Sequence, residues 1–329
     1  MVHSVKNRKK KEKKMRTLRK RTEKLAKLAS RQMEEVVEMT LPYIALGDLR
    51  RRWRQKETPL HPVLLKKLDK FKRIKIQKDK PFHISGSDGG LLVYGVALND
   101  KELVDKLYES IQQAPTPKHY IFKGKKRSKY ESWHWTGWAK YSLEPFMSRE
   151  YIDAQDEVDK FFEDNKEVFS RMSGILGQCA PGVFKQFQTY PLSDGVKRLC
   201  GAWLGCAINK GGNNPNQMNR HRDASEAQYG YSGLISCGDY QRGGLILWEL
   251  EIVLETGPGD LVIFPDAVIT HSNEKAKGTR SSVVCFTQEN VYSYWNQEYN
   301  MKLRRKERKK NKVTRLHRGK VVKPHTVAI

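Results

Sequence analysis

The sequence predicts an α+β protein: a double-stranded β-helix, or jelly-roll, core with a mixed helical subdomain packed against it and a basic, disordered tail at each end. Three observations carry this. From Leu199 onward, short apolar runs follow one another between glycine, proline and asparagine turns, the rhythm of an antiparallel β unit. Upstream, apolar residues recur at helical spacing. At both ends the chain is rich in Lys and Arg, and blocks of like charge cannot collapse on themselves. The boundaries that follow are a tail over 1–45, the mixed subdomain over 46–195, the core over 196–297 and a second tail over 298–329.

The tails hold most of the charge. Residues 1–30 carry thirteen Lys/Arg against two Glu, and residues 302–329 carry twelve against one, so together they supply 22 of the formal +25. Such arms suit a polyanion, as nuclear-localisation signals or as grips on nucleic-acid phosphate, and a nuclear location is expected. Leu18, Leu25 and Leu28 fit either a basic amphipathic helix or a solvated charged one.

In the mixed subdomain, Gly90 to Val96 reads as a strand. It leads into a helix with Leu103, Val104, Leu107, Tyr108 and Ile111 on its apolar face and Asn99 and Glu102 as a capping pair. A longer helix is predicted over Ile152–Met172, with Val158, Phe161, Phe162, Phe169 and Met172 as its core stripe. Two stretches mix charge with aromatic rings or crowd positive charge. Residues 50–80 carry thirteen Lys/Arg against three acids. Lys118 to Tyr141 interleaves Lys123, Lys125, Lys126, Arg127 and Lys129 with Trp133, Trp135 and Trp138. The lysines suit a phosphate backbone, and at least two of the tryptophans suit a core.

Six runs make the core: Leu199–Ile208, Tyr231–Cys237, Leu245–Leu254, Asp260–Phe264, Val268–His271 and Ser281–Phe286. Metal sites of this architecture lie in the mouth between two sheets. The five cysteines show no Cys-x-x-Cys pairing, so neither zinc nor a disulfide framework is expected. The start lacks an apolar stretch of signal-peptide length and no run approaches a membrane span, so a soluble, intracellular protein is expected. The oligomeric state is not readable.

The chemistry is concentrated in His221-Arg222-Asp223, in His271 fifty positions later, and in Arg280 nine beyond that. Two imidazoles and one carboxylate hold a non-haem Fe(II) on one face and leave the other open for O2 and a co-substrate. With one residue between them, His221 and Asp223 project from the same side of an extended segment, and His271 must arrive on a neighbouring strand. The guanidinium fork of Arg280 can grip a carboxylate bidentately, as 2-oxoglutarate requires. Alternation along the next strand puts Arg280, Ser282, Val284, Phe286 and Gln288 on one face. Ser282 can add a hydroxyl to that carboxylate. Phe286 and Gln288 offer a ring and an amide to a flat heterocycle, as in enzymes that flip a base out of a duplex. Glu226 can accept from an exocyclic amine.

These residues resemble a family. Asn219-Arg220-His221-Arg222-Asp223, Gly243 to Leu250, Pro258 to Pro265 and Ile269 to Asn273, within Gly201 to Trp295, are similar to the TET/JBP family of Fe(II)/2-oxoglutarate oxygenases, and most of all to its compact, transposon-associated fungal branch. The resemblance implies oxidation of the methyl group of 5-methylcytosine, or else of thymine, in DNA; an RNA methyl group is a separate alternative. It implies iron on His221, Asp223 and His271, and 2-oxoglutarate on Arg280 and Ser282. Glu226, Phe286 and Gln288 fall where base contacts occur. Three departures stand out: Ala224-Ser225 follows the His-Arg-Asp where fungal relatives tend to carry an aromatic, Gln288 often has a different polar counterpart in them, and the cysteine-rich zinc module of the animal enzymes has no match. An AlkB-type demethylase shares the ligand set but usually carries a second arginine where this chain has Phe286. A prolyl-type hydroxylase usually uses lysine for the far carboxylate. A non-enzymatic jelly-roll DNA-binding module has no use for the four-residue set.

Overall fold

The computed structural model describes residues 37–52, 68–115, 131–139, 144–190, 192–211 and 218–295. Both basic ends, the Lys123 to Lys129 stretch and the middle of the basic block at 50–80 lie outside the described residues.

The N-terminal segment runs through β1 (Val37–Leu41), α1 (Leu46–Arg51), β2 (Lys72–Lys75), β3 (Phe82–Gly86), β4 (Leu91–Ala97) and α2 (Lys101–Gln113). The apolar face expected for α2 is buried at Leu103, Val104, Leu107 and Ile111. Its cap is one residue later than expected. Asp100, not Asn99, accepts the Leu103 N–H at 3.0 Å, and Asn99 stands outside the helix in the left-handed region at φ 53°.

Next come β5 (Glu131–Trp135), β6 (Gly137–Trp138), β7 (Phe146–Met147), α3 (Arg149–Ile152), α4 (Gln155–Asp164), α5 (Lys166–Cys179) and α6 (Pro181–Thr189). The single helix expected over Ile152–Met172 is broken at Asn165, whose side chain donates to the Phe161 carbonyl at 2.8 Å. Asparagine competes with helix hydrogen bonding in this way. The apolar period runs straight through the break, because Phe161, Phe162 and Phe169 from both helices meet in one ring cluster.

The remaining strands are β8 (Gly205–Lys210), β9 (Ser232–Cys237), β10 (Tyr240–Arg242), β11 (Leu245–Leu247), β12 (Ile252–Glu255), β13 (Asp260–Phe264), β14 (His271–Asn273), β15 (Ala276–Gly278) and β16 (Ser281–Phe286). β13 and β16 fall where the apolar runs put them. Three runs are cut by turns. Residues 199–204 form a turn, with Gly201 at φ 63° and a bridge between Cys200 and Trp203. The Leu245–Leu254 run is two antiparallel strands joined through Glu251 at φ 53°. Val268 and Ile269 close a turn on the Pro265 carbonyl, so the strand begins only at His271. In each case buried apolar residues continue through the turn, Cys200, Ala202 and Trp203 in the first, Trp248 and Leu250 in the second and Val268 and Ile269 in the third, so hydropathy did not mark it.

An eight-stranded sheet has the order β1-β3-β4-β13-β9-β16-β8-β5, and a four-stranded sheet the order β14-β11-β12-β2. From β8 onward the chain crosses repeatedly between the two, which accords with a jelly-roll core. The N-terminal segment extends both sheets, since β3 and β4 join the large one and β2 pairs in parallel with β12. The helices cover the outer face of the large sheet, where Trp135 packs on Phe161 and Phe162 with centroids 5.1 and 5.9 Å apart. Trp133 and Trp135 are fully buried, so two of the three tryptophans belong to the core. Among the described residues no helix is long and apolar enough to cross a membrane.

Candidate metal centre and adjoining pocket

His221 lies just beyond the edge of the four-stranded sheet and exchanges backbone hydrogen bonds with His271 on β14. His221 N–H donates to the His271 carbonyl at 2.9 Å, and His271 N–H donates back at 2.8 Å. Residues paired this way carry their side chains on the same face, and the two rings lie 4.3 Å apart. Asp223 follows two residues later, its N–H on the Asp266 carbonyl at 3.1 Å. Its Oδ2 is 3.7 Å from His221 Nε2 and 3.5 Å from His271 Nε2. One cation with bonds of about 2.1 Å can sit among donors so spaced.

The tautomers fit a metal. His221 Nδ1 is 2.7 Å from the Asn219 carbonyl and His271 Nδ1 is 3.0 Å from the Ile269 carbonyl. A carbonyl only accepts, so each Nδ1 carries a proton, and Nε2 is the nitrogen that faces Asp223 and that would give its lone pair to a cation in place of a proton. Glu249 braces the same turn by accepting from the Thr270 N–H at 2.8 Å and from its hydroxyl. The imidazoles are almost fully buried, whereas the Asp223 side chain is 24 % exposed, so the set opens on the carboxylate side. Burial acts to lower the His271 pKa, but the hydrogen bond and charge of Asp223 outweigh it and hold the pKa above its usual value.

Asp266, which the sequence reading did not single out, stands behind the ligands. It is buried, and desolvation followed by repulsion from Asp223 pushes its pKa up to about 7. Asp223, Glu226 and Asp266 bring carboxylate oxygens within 4.8 Å of one another. Glu226 also accepts from the Ser232 hydroxyl at 3.0 Å.

The inner face of the large sheet supplies a second polar group. Register sets Ser282 opposite Asn209 on one side and Ser236 on the other. Asn209 donates to Ser282 Oγ at 3.2 Å, and Arg280 donates to Ser236 Oγ at 2.8 Å with its guanidinium 5.7 Å from the Tyr240 ring centroid. Arg280 is only 6 % exposed, a setting where its rigid fork is worth most to a carboxylate. Asn209 and Ser236 could have been found only from the strand register.

Glu226 and Gln288 are brought together, because the loop after Asp223 pairs antiparallel with the end of β16. Phe286 is fully buried, with the His134 ring edge-on at 6.0 Å and Trp138 beyond it. His134 was missed beside two conspicuous tryptophans, although strand alternation in Trp133-His134-Trp135 puts it on the opposite, inner face. The sheets meet where Phe264 of β13 stands edge-on to His271 at 5.1 Å.

Among known folds, this chain superposes on NgTET1 in complex with 5mC DNA over 76 % of its length and 93 % of that chain, at 15 % identity and a TM-score of 0.52. The chain therefore shares that fold. Weaker likenesses, with TM-scores of 0.38 and 0.35, are to a 2OG-Fe(II) oxygenase family oxidoreductase from Burkholderia pseudomallei (10 % identity, 76 % of this chain and 93 % of that one) and to OsALKBH1 (13 %, 60 % and 96 %). No protein-family description and no curated protein matches the sequence.

Proposed function

We propose that this protein is an Fe(II)- and 2-oxoglutarate-dependent dioxygenase with a double-stranded β-helix core, acting on the methyl group of 5-methylcytosine in DNA. The observation that carries the reading is the pair of Nδ1-anchored imidazoles facing Asp223 across a two-way backbone bridge. That donor set suits Fe(II) and leaves positions for other ligands. The fold shared with a DNA-bound neighbour supports the choice of substrate. The Lys/Arg-rich ends support a nuclear location and a grip on phosphate.

His221 Nε2, Asp223 and His271 Nε2 would hold the iron. Arg280 would receive the far carboxylate of 2-oxoglutarate, with Ser282 beside it and Ser236 and Asn209 fixing both. With iron, 2-oxoglutarate and O2 bound, the cofactor set supplies an oxidant that places one oxygen atom on a methyl carbon, while the other leaves in succinate and the lost carboxylate leaves as CO2. Phe286 and His134 would wall one side of the pocket and Glu226 would accept from the amine of the base, with Gln288 alongside. No side chain need act as general acid or base. The chain's contribution is position and exclusion of water.

The test is incubation of the full chain with iron, 2-oxoglutarate and, in parallel, methylcytosine duplex DNA, unmethylated duplex DNA and methylated RNA, followed by nucleoside mass spectrometry. Oxidised methylcytosine from the methylated duplex is expected. Oxidised thymine alone, or a product from RNA alone, would move the substrate assignment.

A further inference from the structure

The loop that follows the candidate ligands has an outer surface that the proposed site does not use. Of the four large apolar side chains exposed among the described residues, Tyr229 stands six residues after Asp223, with 53 % of its surface in water. The loop beneath it is fixed. Gln228 N–H donates to Glu289 Oε2 at 2.9 Å, Gly230 N–H to the Ala227 carbonyl at 2.8 Å and Glu289 N–H to the Ser225 carbonyl at 3.0 Å. These bonds hold the turn so that the ring stands outward.

Beside it lies α1. Gln228 Nε2 donates to the Arg50 carbonyl at 2.6 Å, and the Arg222 guanidinium reaches the Arg52 carbonyl at 3.4 Å. The residues flanking Asp223 and Glu226 thus seat the C-terminal end of this helix against the site. The Arg50 guanidinium lies 4.9 Å from the Tyr229 ring centroid and stiffens it. Arg51 and Arg52 point to solvent. Arg51 pairs with Asp48, but the two side chains are 76 % and 47 % exposed, and so open an ion pair is readily exchanged for another anion. Asp88 is turned to the other end of the helix, where it caps the Leu46 and Gly47 N–H groups.

We propose that Arg51, Arg52 and Tyr229 form a docking rim for duplex DNA at the edge of the pocket. The two guanidinium groups take phosphates flanking the target base, and the Tyr229 ring fills or braces the stack from which that base is drawn. This rests on the functional reading above. Guanidinium forks match phosphate geometry, and an exposed ring beside a pocket that receives a flipped base meets the need to offset lost stacking. The surface is distinct in sequence from the Lys/Arg-rich ends of the chain.

The test measures binding of methylated duplex DNA by the full chain across a salt series, alongside turnover on duplex and on single-stranded methylated DNA. Arg51→Ala with Arg52→Ala should lower the salt slope by about 2, roughly 0.9 for each phosphate no longer neutralised. Lys101→Ala with Lys106→Ala removes the same charge from α2 and should leave the slope nearly unchanged. Tyr229→Ala should slow turnover on the duplex several-fold more than on the single strand, which needs no unstacking, and Tyr229→Phe should restore it. Equal slope losses for the two arginine and the two lysine substitutions, or an equal loss on both substrates for Tyr229→Ala, overturns the rim while leaving methylcytosine oxidation standing. Absence of both DNA binding and methylcytosine turnover in the unsubstituted protein overturns the functional reading and the rim with it.

Discussion

His221 and His271, fifty positions apart, exchange both of their backbone hydrogen bonds, at 2.9 and 2.8 Å. This bridge aligns two imidazoles before any metal arrives, and carbonyl partners on both Nδ1 atoms fix which nitrogen faces inward. Little reorganisation is left for a metal to drive.

The brace behind His271 should therefore matter to metal affinity. Glu249 holds both polar groups of Thr270 without touching the ligand set. Glu249→Ala is expected to weaken iron binding about tenfold, at the low end of the effect of losing a partner that orients a ligating histidine. Titration of iron into the variant and the parent protein decides it, and equal affinities would remove Glu249 from the account.

Arg280→Lys retains the charge and loses the fork. The Michaelis constant for 2-oxoglutarate should rise roughly 10- to 100-fold, the cost of one charged hydrogen bond of about 1.5–3 kcal/mol. Steady-state kinetics with 2-oxoglutarate varied check this. An unchanged constant would mean that the carboxylate lies elsewhere.

In the pocket, Glu226→Gln should reduce methylcytosine oxidation about tenfold, the worth of one charged hydrogen bond, while substrate-free decarboxylation of 2-oxoglutarate changes less. Phe286→Ala should weaken productive substrate binding by roughly 1–3 kcal/mol, as when a base loses an aromatic stacking partner. If neither changes oxidation, the base lies outside the wall formed by Phe286 and His134.

Much of this was legible in the sequence, and the part that was not has a common cause. The strands β13 and β16 were readable because apolar runs end at polar turns. The break at Asn165 and the turn through Glu251 were not, because the apolar pattern continues across them while the backbone changes direction. The His221, Asp223, His271 and Arg280 set carried its own spacing signal. Asn209 and Ser236 did not, because their relation to the site comes from cross-strand register, which pairs residues far apart in sequence, and Asp266 did not, because it joins the site through a turn whose carbonyl accepts from the Asp223 N–H. His134 lies between these cases, readable from alternation but hidden beside two tryptophans.

Asp260, at the start of β13 and away from the ligands, should make stability depend on pH. Burial pushes its pKa up to about 7, against the opposing Gly257 hydrogen bond. The folded state then holds a proton that the unfolded chain releases near pH 4, so stability falls as pH rises from about 4 to 7. Asp260→Asn should remove up to roughly 4 kcal/mol of that pH dependence, at about 1.4 kcal/mol for each tenfold difference in proton affinity between the folded and unfolded chain. Denaturant titrations of both proteins at pH 5 and pH 8 measure the difference, and parallel profiles would count against a buried neutral Asp260.

The most direct test of the central claim compares the parent protein with a variant carrying His221→Ala and Asp223→Ala, on methylated duplex DNA with iron and 2-oxoglutarate, read by nucleoside mass spectrometry. The account predicts oxidised methylcytosine from the parent and none above background from the variant. Undiminished product from the variant would contradict it.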